Sequence, residues 1–329
     1  MPHRGRSSLL LFLGLAALGC DGCRAGRAHV GQRAASMESA QASPRGASPS
    51  SKVASTSPNT GHRELVWNFP ASELGPMRAV LVLPATTQPG ERFPVLVALH
   101  GRGEASKGVE LGARGWIDDY GLVRAMRRLR APPLTSHDLE SLYSADRLVD
   151  LNTRLTHHPY RGLIVVCPYT PDILGGERAF SRAAPLTRFI VDELLPRVFR
   201  ETPALGTASS TGIDGVSLGG RAALLVGLAR PEAFGAVAAL QPAFDSAEAA
   251  AIAERAKAAR VTNPRLKLRL LTSDGDYFLG ATRAIARALE RSGVPHEHLE
   301  VEGPHDYAFN RGPGVYEMLS FHDRVLRTP

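Results

Sequence analysis

The sequence predicts an α/β protein with a mostly parallel central sheet and helices on both faces. From residue 62 onward, short apolar runs suited to strands alternate with longer segments of helical periodicity, which is typical of a parallel sheet with crossover helices. A second observation is the run GVSLGG at residues 215–220, which stands between an apolar run and an alanine- and leucine-rich segment. This order of strand, sharp turn and helix puts Ser217 on the turn.

The predicted elements follow in chain order. Two opening strands precede the continuous apolar run FPVLVAL, which suits a strand buried on both faces. The predicted strands are 64–69, 78–83, 93–99, 162–167, 211–213, 235–240, 267–271 and 298–301. The predicted helices are 116–129, 185–198, 218–229, 246–259, 279–291 and 313–326.

The segment 104–161 departs from this regular alternation. It contains the predicted helix 116–129, a break at Pro132-Pro133 and a second helix-like stretch at 135–155. Segments between core elements often carry substrate-binding side chains. The sequence leaves two interpretations open, a lid or insertion that forms a pocket wall and a solvent-exposed decoration.

Composition excludes several functional classes. The chain has 329 residues, 43% of them hydrophobic, and a net charge of +7, which fits a globular protein with a substantial core. The basic residues are dispersed, and no zinc-finger spacing or aromatic-rich basic region is present, so we expect no nucleic-acid binding. The three cysteines do not form two C-x₂-C pairs, which argues against structural zinc. Cys167, at the end of an apolar run, is predicted to be a buried, small apolar side chain.

The N-terminus reads as an export signal. Residues 1–20 combine two arginines, an apolar run too short to span a membrane comfortably, and the ending Ala17-Leu18-Gly19-Cys20. This ending resembles a bacterial lipobox, which implies lipidation of Cys20; the alternative is an ordinary signal peptide and a periplasmic or secreted protein. Residues 21–61 are rich in Ser, Ala, Gly and Pro and predict a flexible tether. The folded domain is expected at 62–329.

The candidate catalytic residues all follow predicted strands, where the carboxyl ends of a parallel sheet form a site. A serine hydroxyl needs a base, and a histidine needs a carboxylate to hold its tautomer. In chain order, Ser217, Asp276 and His305 fit a Ser–acid–His triad, with Asp274 as the alternative acid. Asp276 could instead cap a helix, and Asp274 could serve a turn.

Two backbone N–H groups are candidates for an oxyanion hole, those of Leu218 and of Arg102 in the loop His100-Gly101-Arg102-Gly103. The Gly-x-Gly of this loop could also begin a dinucleotide-binding turn, but the third glycine of that pattern is missing. The two aspartates after the 267–271 strand are too few for a calcium site.

Residues from about 62 to 329 resemble the esterase family of α/β-hydrolases that includes enterochelin esterases, S-formylglutathione hydrolase, feruloyl and acetylxylan esterases and mycolyltransferases. The matching pieces are ALHG at 98–101, GVSLGG at 215–220, SDGDYFL at 273–279 and GPHDYAF at 303–309. The resemblance implies the α/β-hydrolase fold, the triad Ser217, Asp276 and His305, and an oxyanion donor at Leu218.

The predicted function is therefore hydrolysis of a small-molecule or carbohydrate ester through an acyl-enzyme on Ser217, without metal or organic cofactor. Two alternatives remain open. One is acyl transfer to a sugar or cell-wall acceptor, and the other is a catalytically silent envelope protein that uses the fold for binding. We expect an exported protein, held at a membrane through Cys20.

Overall fold

Eight strands form one sheet within the residues that the computed structural model describes, 61–85, 88–173 and 179–326. The strands are β1 (His62–Ser72), β2 (Gly75–Pro84), β3 (Val95–Leu99), β4 (Ile164–Pro168), β5 (Thr211–Gly215), β6 (Ala236–Leu240), β7 (Lys267–Gly275) and β8 (Glu297–Pro304). Their order in the sheet is β1-β2-β4-β3-β5-β6-β7-β8. Strands β1 and β2 are antiparallel to their neighbours, and the other six are mutually parallel. The loops that follow β3 to β8 therefore gather at one edge.

Twelve α-helices lie in the described part of the chain. They are α1 (Arg102–Ala105), α2 (Gly108–Gly112), α3 (Gly115–Asp118), α4 (Leu122–Leu129), α5 (Ala145–His157), α6 (Ala179–Arg188), α7 (Leu195–Glu201), α8 (Leu218–Ala229), α9 (Ala249–Thr262), α10 (Leu279–Arg291), α11 (Tyr307–Phe309) and α12 (Val315–Val325). A π-helical stretch, Phe189–Leu194, joins α6 to α7. None of the described helices is long and apolar enough to cross a membrane.

The core has two main layers, one on each face of the sheet. Alternate residues of the strands point to opposite faces. Val97 belongs to the apolar cluster that includes residues of α8, α9 and α10, and Ala98 belongs to the cluster that includes residues of α3, α4, α5 and α12. The nearly all-apolar α8 is buried along almost its whole length. The predicted α/β-hydrolase architecture, a mostly parallel sheet between two helical layers, is confirmed.

The segment 104–161 supplies much of the second layer. Trp116 and Leu122 are fully buried, and Tyr120 is nearly so. The interpretation as solvent-exposed decoration is therefore wrong for this part of the segment. The single helix predicted over 116–129 is also wrong, because Gly121 takes a φ of +67° and separates α3 from α4. The apolar spacing continues across this break, which is why the sequence pattern conceals it.

The segment 135–155 is less regular than its helix-like pattern indicates. A short 3₁₀ turn, Ser136–Leu139, ends at Glu140 and Ser141, both of which have positive φ, before α5 begins. Cys167 is buried as predicted, and burial raises the pKa of its thiol. The predicted signal peptide, Cys20 and the tether up to residue 60 lie outside the described residues.

Candidate active site

Ser217 occupies a sharp turn between β5 and α8. Its φ of +56° and ψ of −115° are unusual for a residue with a side chain and store backbone strain. The strain is held by neighbouring hydrogen bonds: Ser217 N donates to Leu240 O at 2.9 Å, and Ala243 N donates to Ser217 O at 3.1 Å. Ser217 is also the one residue of 211–220 that is not buried. The turn thus holds a hydroxyl at the surface of an otherwise closed core.

The glycines on either side of Ser217 are required by close backbone packing. A Cβ added to Gly215 would lie 2.5 Å from the carbonyl of Gly219, and a Cβ on Gly219 would overlap the carbonyl of Leu99. Val216 N also donates to Leu99 O at 3.2 Å. The end of β3 and the start of α8 therefore lie in direct backbone contact, which only residues without a Cβ allow at these two positions.

His305 follows β8 and is hydrogen-bonded to the acid that follows β7. His305 Nδ1 donates to Asp276 Oδ1 at 2.7 Å. The carboxyl group of Asp276 is buried, whereas the imidazole of His305 keeps about 15% of its surface exposed. Asp276 also accepts from Thr272 Oγ1 at 2.6 Å and from Phe278 N at 2.9 Å. Asp276 is thus the partner of His305, whereas the alternative role as helix cap is wrong: α10 has Phe278 at its N-cap position and no side-chain cap hydrogen bond, and the contact with Phe278 N is a local turn before the helix.

Asp274 has a different place. It is exposed, and its Oδ1 accepts from Gly303 N at 2.9 Å. This contact braces the ends of β7 and β8 against each other and makes no link to His305. Of the two candidate acids, the structure thus brings Asp276 to the histidine and leaves Asp274 in a contact between the ends of two strands.

Gln241 joins the serine turn to the histidine loop, a role that the sequence analysis missed. It follows Leu240 at the end of β6 with a φ of +43°. Its Nε2 donates to Pro304 O at 3.0 Å, directly before His305, and to Ser273 Oγ at 2.6 Å. Because Leu240 O also holds Ser217 N, one short stretch fixes both loops. A polar residue directly after a buried strand was the available signal.

The two candidate oxyanion donors lie at helix starts. Leu218 and Arg102 are the first residues of α8 and α1, and N–H groups in a first turn have no acceptor within their own helix. Gly101 N is already used, since it donates to Tyr120 Oη at 3.2 Å. A Cβ on Gly101 would lie 3.8 Å from Val216 O, which places this loop beside the serine turn. The Arg102 guanidinium points elsewhere, to Asp172 at 2.8 Å.

The side chain of His100 helps to fix the oxyanion loop that contains Gly101 and Arg102. It is buried; its Nδ1 donates to Gly101 O at 2.9 Å, and its Nε2 accepts from Thr170 N at 2.8 Å. Burial lowers the pKa of His100 to about 4, so the ring is neutral near pH 7. A neutral ring is required by this pattern, because one nitrogen must accept while the other donates.

Aromatic rings surround His305. The ring centroid of Tyr277 lies 5.3 Å from that of the imidazole, and Phe278 meets it edge-on at 5.4 Å. Tyr277 is 82% exposed, which is unusual for a large aromatic side chain. Both rings follow Asp276 directly, so the sequence run that contains the acid also encloses the histidine.

Ser217 Oγ makes no hydrogen bond with any residue in the described ranges, and His305 Nε2 likewise makes none there. The serine turn, the Asp276–His305 pair and two helix-start N–H groups nonetheless meet at one edge of the sheet. This arrangement offers a nucleophile, a base with a free nitrogen and donors for a developing negative charge.

Residues 176–309 match the model of the family described as "Putative esterase". The matched stretch includes Ser217, Asp276 and His305. The resemblance predicted from the sequence motifs is thereby confirmed over this part of the chain. No curated protein matches the sequence.

Solved structures share the fold at low sequence identity. A ferulic acid esterase is 17% identical, with a TM-score of 0.59, over 82% of this chain and 100% of that chain. A feruloyl esterase module from Clostridium thermocellum, solved as a serine-to-alanine mutant complexed with sinapinate, is 16% identical, with a TM-score of 0.57, over 86% and 94%. An S-formylglutathione hydrolase from Agrobacterium tumefaciens is 18% identical, with a TM-score of 0.55, over 83% and 98%. These likenesses establish the α/β-hydrolase fold.

Proposed function

We propose that the chain is a serine esterase that hydrolyses a carboxylic ester through an acyl-enzyme on Ser217. The family match and the fold support esterase chemistry in general. The observation that supports the finer assignment is the combination of a strained, accessible serine turn with an Asp276–His305 pair whose Nε2 makes no hydrogen bond within the described residues.

In the proposed reaction, His305 Nε2 takes the proton of Ser217 Oγ as the oxygen attacks the ester carbonyl carbon. The N–H groups of Leu218 and Arg102 stabilise the oxyanion of the tetrahedral intermediate. Its C–O bond to the alcohol then breaks, and the alcohol leaves with the proton from His305. A water molecule, deprotonated by the same nitrogen, attacks the acyl carbon; the bond from this carbon to Ser217 Oγ then breaks, the acid leaves, and His305 returns the proton to Ser217 Oγ. Asp276 stabilises the imidazolium in both steps.

The site is also proposed to act outside the cytoplasm, at a membrane, with Cys20 lipidated. The support is the sequence of residues 1–20, whose charged start, apolar run and terminal cysteine fit an exported lipoprotein. Two acyl chains on one cysteine would give stable anchoring.

The test is ester turnover by the purified full chain on a panel of aryl, feruloyl, acetyl-sugar and siderophore esters, with acid and alcohol products quantified. We expect stoichiometric acid and alcohol from at least one ester and loss of turnover in Ser217→Ala. Ser141→Ala is the matched control, because Ser141 is another serine with positive φ and lies outside the site. Absence of turnover by folded wild-type protein on the whole panel, or equal turnover by Ser217→Ala, contradicts the proposal. Acyl products on added sugar in place of free acid would favour transfer over hydrolysis.

A further inference from the structure

Glu104 is a buried carboxylate beside the oxyanion loop that the proposed reaction does not use. It lies in α1, two residues after Arg102, and is 1% exposed. Its side chain packs against Gly115, where an added Cβ would lie 2.5 Å from Glu104 Cγ. Burying a carboxylate is costly unless hydrogen bonds and opposite charge compensate. The hydrogen-bond partners of Glu104 therefore indicate the role of the buried carboxylate.

Two tyrosines donate to the two oxygens of Glu104. Tyr120 Oη donates to Oε2 in a short hydrogen bond, and Tyr307 Oη donates to Oε1 at 2.8 Å. Lys107 Nζ lies 3.7 Å from Oε1 and binds Asp119 at 2.7 Å. Burial, with the carboxylate beside them, raises the pKa of both tyrosines. Both phenols therefore keep their protons as donors at neutral pH.

The two tyrosines are neighbours, with ring centroids 5.9 Å apart, and each contacts or belongs to a different loop of the candidate active site. Tyr120 Oη accepts from Gly101 N, the residue directly before Arg102. Tyr307 follows His305 by two residues and begins α11. A continuous path thus runs from the oxyanion loop through Tyr120, Glu104 and Tyr307 to the histidine loop.

We propose that Glu104 is a positioning residue that fixes the oxyanion donor at Arg102 relative to His305. The proposal rests on the proposed function, since it assigns Glu104 a task in that reaction. Glu104 touches neither substrate nor the reacting atoms, so its effect is indirect. It acts through the two tyrosines, each of which holds one of the loops.

Such a role has a kinetic signature. The oxyanion donor is aimed at charge that develops in the transition state, so misplacing it lowers kcat and leaves KM nearly unchanged. Displacements of about 1 Å can reduce rates about 100-fold. A carboxylate that only stabilised the fold would change the fraction of folded enzyme and leave kcat per active site as it was.

The chain offers a matched control elsewhere in the core. Glu317 is also a buried carboxylate that accepts from a tyrosine, Tyr143 Oη at 3.0 Å, and it is paired with Arg269 at 2.8 Å. Neither Glu317 nor Tyr143 contacts the serine turn, the histidine loop or the oxyanion loop in the described hydrogen-bond network. Tyr143→Phe therefore removes a comparable hydrogen bond without reaching the site.

The experiment measures kcat and KM of the full chain on its best ester for wild type, Glu104→Gln, Tyr307→Phe and Tyr143→Phe. Active sites are counted by fluorophosphonate titration, which makes the comparison independent of the folded fraction. We expect kcat per site to fall about 10- to 100-fold in Glu104→Gln and about 3- to 10-fold in Tyr307→Phe, with KM within about twofold. Tyr143→Phe is expected to keep kcat within about twofold.

A double variant tests whether Tyr307 and Glu104 affect kcat through the same hydrogen bond. If Tyr307 acts through Glu104, adding Tyr307→Phe to Glu104→Gln should cost little more than Glu104→Gln alone. Wild-type kcat per site in Glu104→Gln, or full additivity in the double variant, would overturn the positioning role. These outcomes require an active wild type, so they are distinct from failure of the esterase proposal, in which wild type itself turns over no ester.

Discussion

Two aspartate–histidine pairs lie at the sheet in the described part of the chain, and they use the imidazole in opposite ways. In Asp276–His305 the carboxylate holds Nδ1 at 2.7 Å, and Nε2 is left for a reacting group. In Asp214–His322 the carboxylate holds Nε2 at 3.0 Å, and Nδ1 is buried with no hydrogen-bond partner in the described ranges.

The surroundings of the two pairs differ as much as their bonding. His305 is partly exposed at the carboxyl edge of the sheet, whereas His322 is fully buried in α12 against β5. A Cβ on Gly212 would overlap His322 Nδ1, so no substrate atom can reach that nitrogen. An Asp–His pair is therefore indicative of catalysis only when its second nitrogen opens to a cleft; the buried pair serves to hold α12 to the strand before Ser217.

The largest expected effect is on catalysis at the open pair. His305→Ala should reduce kcat at least about 10⁴-fold, because the serine loses its base, while the free energy of unfolding changes by about 1 kcal/mol or less. Steady-state kinetics and urea unfolding measure the two quantities on the same protein. A His305→Ala enzyme that retains a tenth of wild-type kcat would remove His305 from the mechanism.

The two acids at the carboxyl end of β7, Asp274 within the strand and Asp276 just after it, provide the second contrast. Asp276→Asn should lower kcat about 10³- to 10⁴-fold, since the amide no longer holds the required tautomer of His305. Asp274→Asn should keep kcat within about threefold, because the hydrogen bond that Asp274 accepts among the described residues comes from Gly303 N and does not involve His305. The ratio of the two kcat values is the measurement. Equal losses would show that the acid has been assigned to the wrong aspartate.

Substitution in the buried pair Asp214–His322 should lower the stability of the fold and leave catalysis nearly unchanged. His322→Ala leaves a cavity and an unpaired Asp214 carboxyl, and we expect the free energy of unfolding to fall by about 4 kcal/mol. The kcat per titrated active site should stay within about threefold of wild type, provided that β5 keeps its place. Chemical denaturation and fluorophosphonate titration test the two halves of this expectation. A large loss of kcat per site without destabilisation would give the buried pair a catalytic part.

A smaller effect is expected from His100, a buried histidine whose hydrogen bonds in the described part of the chain go to backbone groups. Its pKa of about 4 in the folded state lies below the usual 6.5, so the unfolded chain binds the additional proton between these values. Stability from this residue is therefore present above pH 6.5 and is lost as pH falls towards 4, by roughly 3 kcal/mol. His100→Gln should be less stable at pH 7 but should show a flatter dependence on pH over this interval. Urea unfolding at several pH values would measure this pH dependence of stability, and identical slopes for wild type and His100→Gln would contradict the expectation.

Sequence patterns predicted the helix bounds well where a single local signal, such as a clear start and stop, dominates. The bounds of α8 and α10 were predicted to the residue, because alanine- and leucine-rich stretches there begin at a turn and end at a clear stop. The helix predicted at 116–129 failed because Gly121 adopts a left-handed conformation that apolar spacing does not reveal. Glycine in a helical pattern was the overlooked signal.

In the candidate active site, too, some residues could be predicted from the sequence and others could not. Residues at strand ends could be found from the sequence, since parallel strands bring their carboxyl ends together. The roles of the residues that join the loops could not be predicted, even where a polar strand-end residue such as Gln241 was visible, because their partners are distant in sequence: Gln241 binds a carbonyl 63 positions away, and Tyr307 binds a carboxylate 203 positions away. The choice between Asp274 and Asp276 also depended on side-chain direction, which the run SDGD does not determine.

The central claim is that Ser217 is the nucleophile served by the open pair, and the most direct measurement is mass spectrometry of the full chain after reaction with a fluorophosphonate. The account predicts one adduct per wild-type molecule, located on the peptide that contains Ser217. It also predicts no adduct in Ser217→Ala, much slower labelling in His305→Ala and near-normal labelling of folded His322→Ala. An adduct on another residue, or equal labelling of wild type and Ser217→Ala, would contradict it.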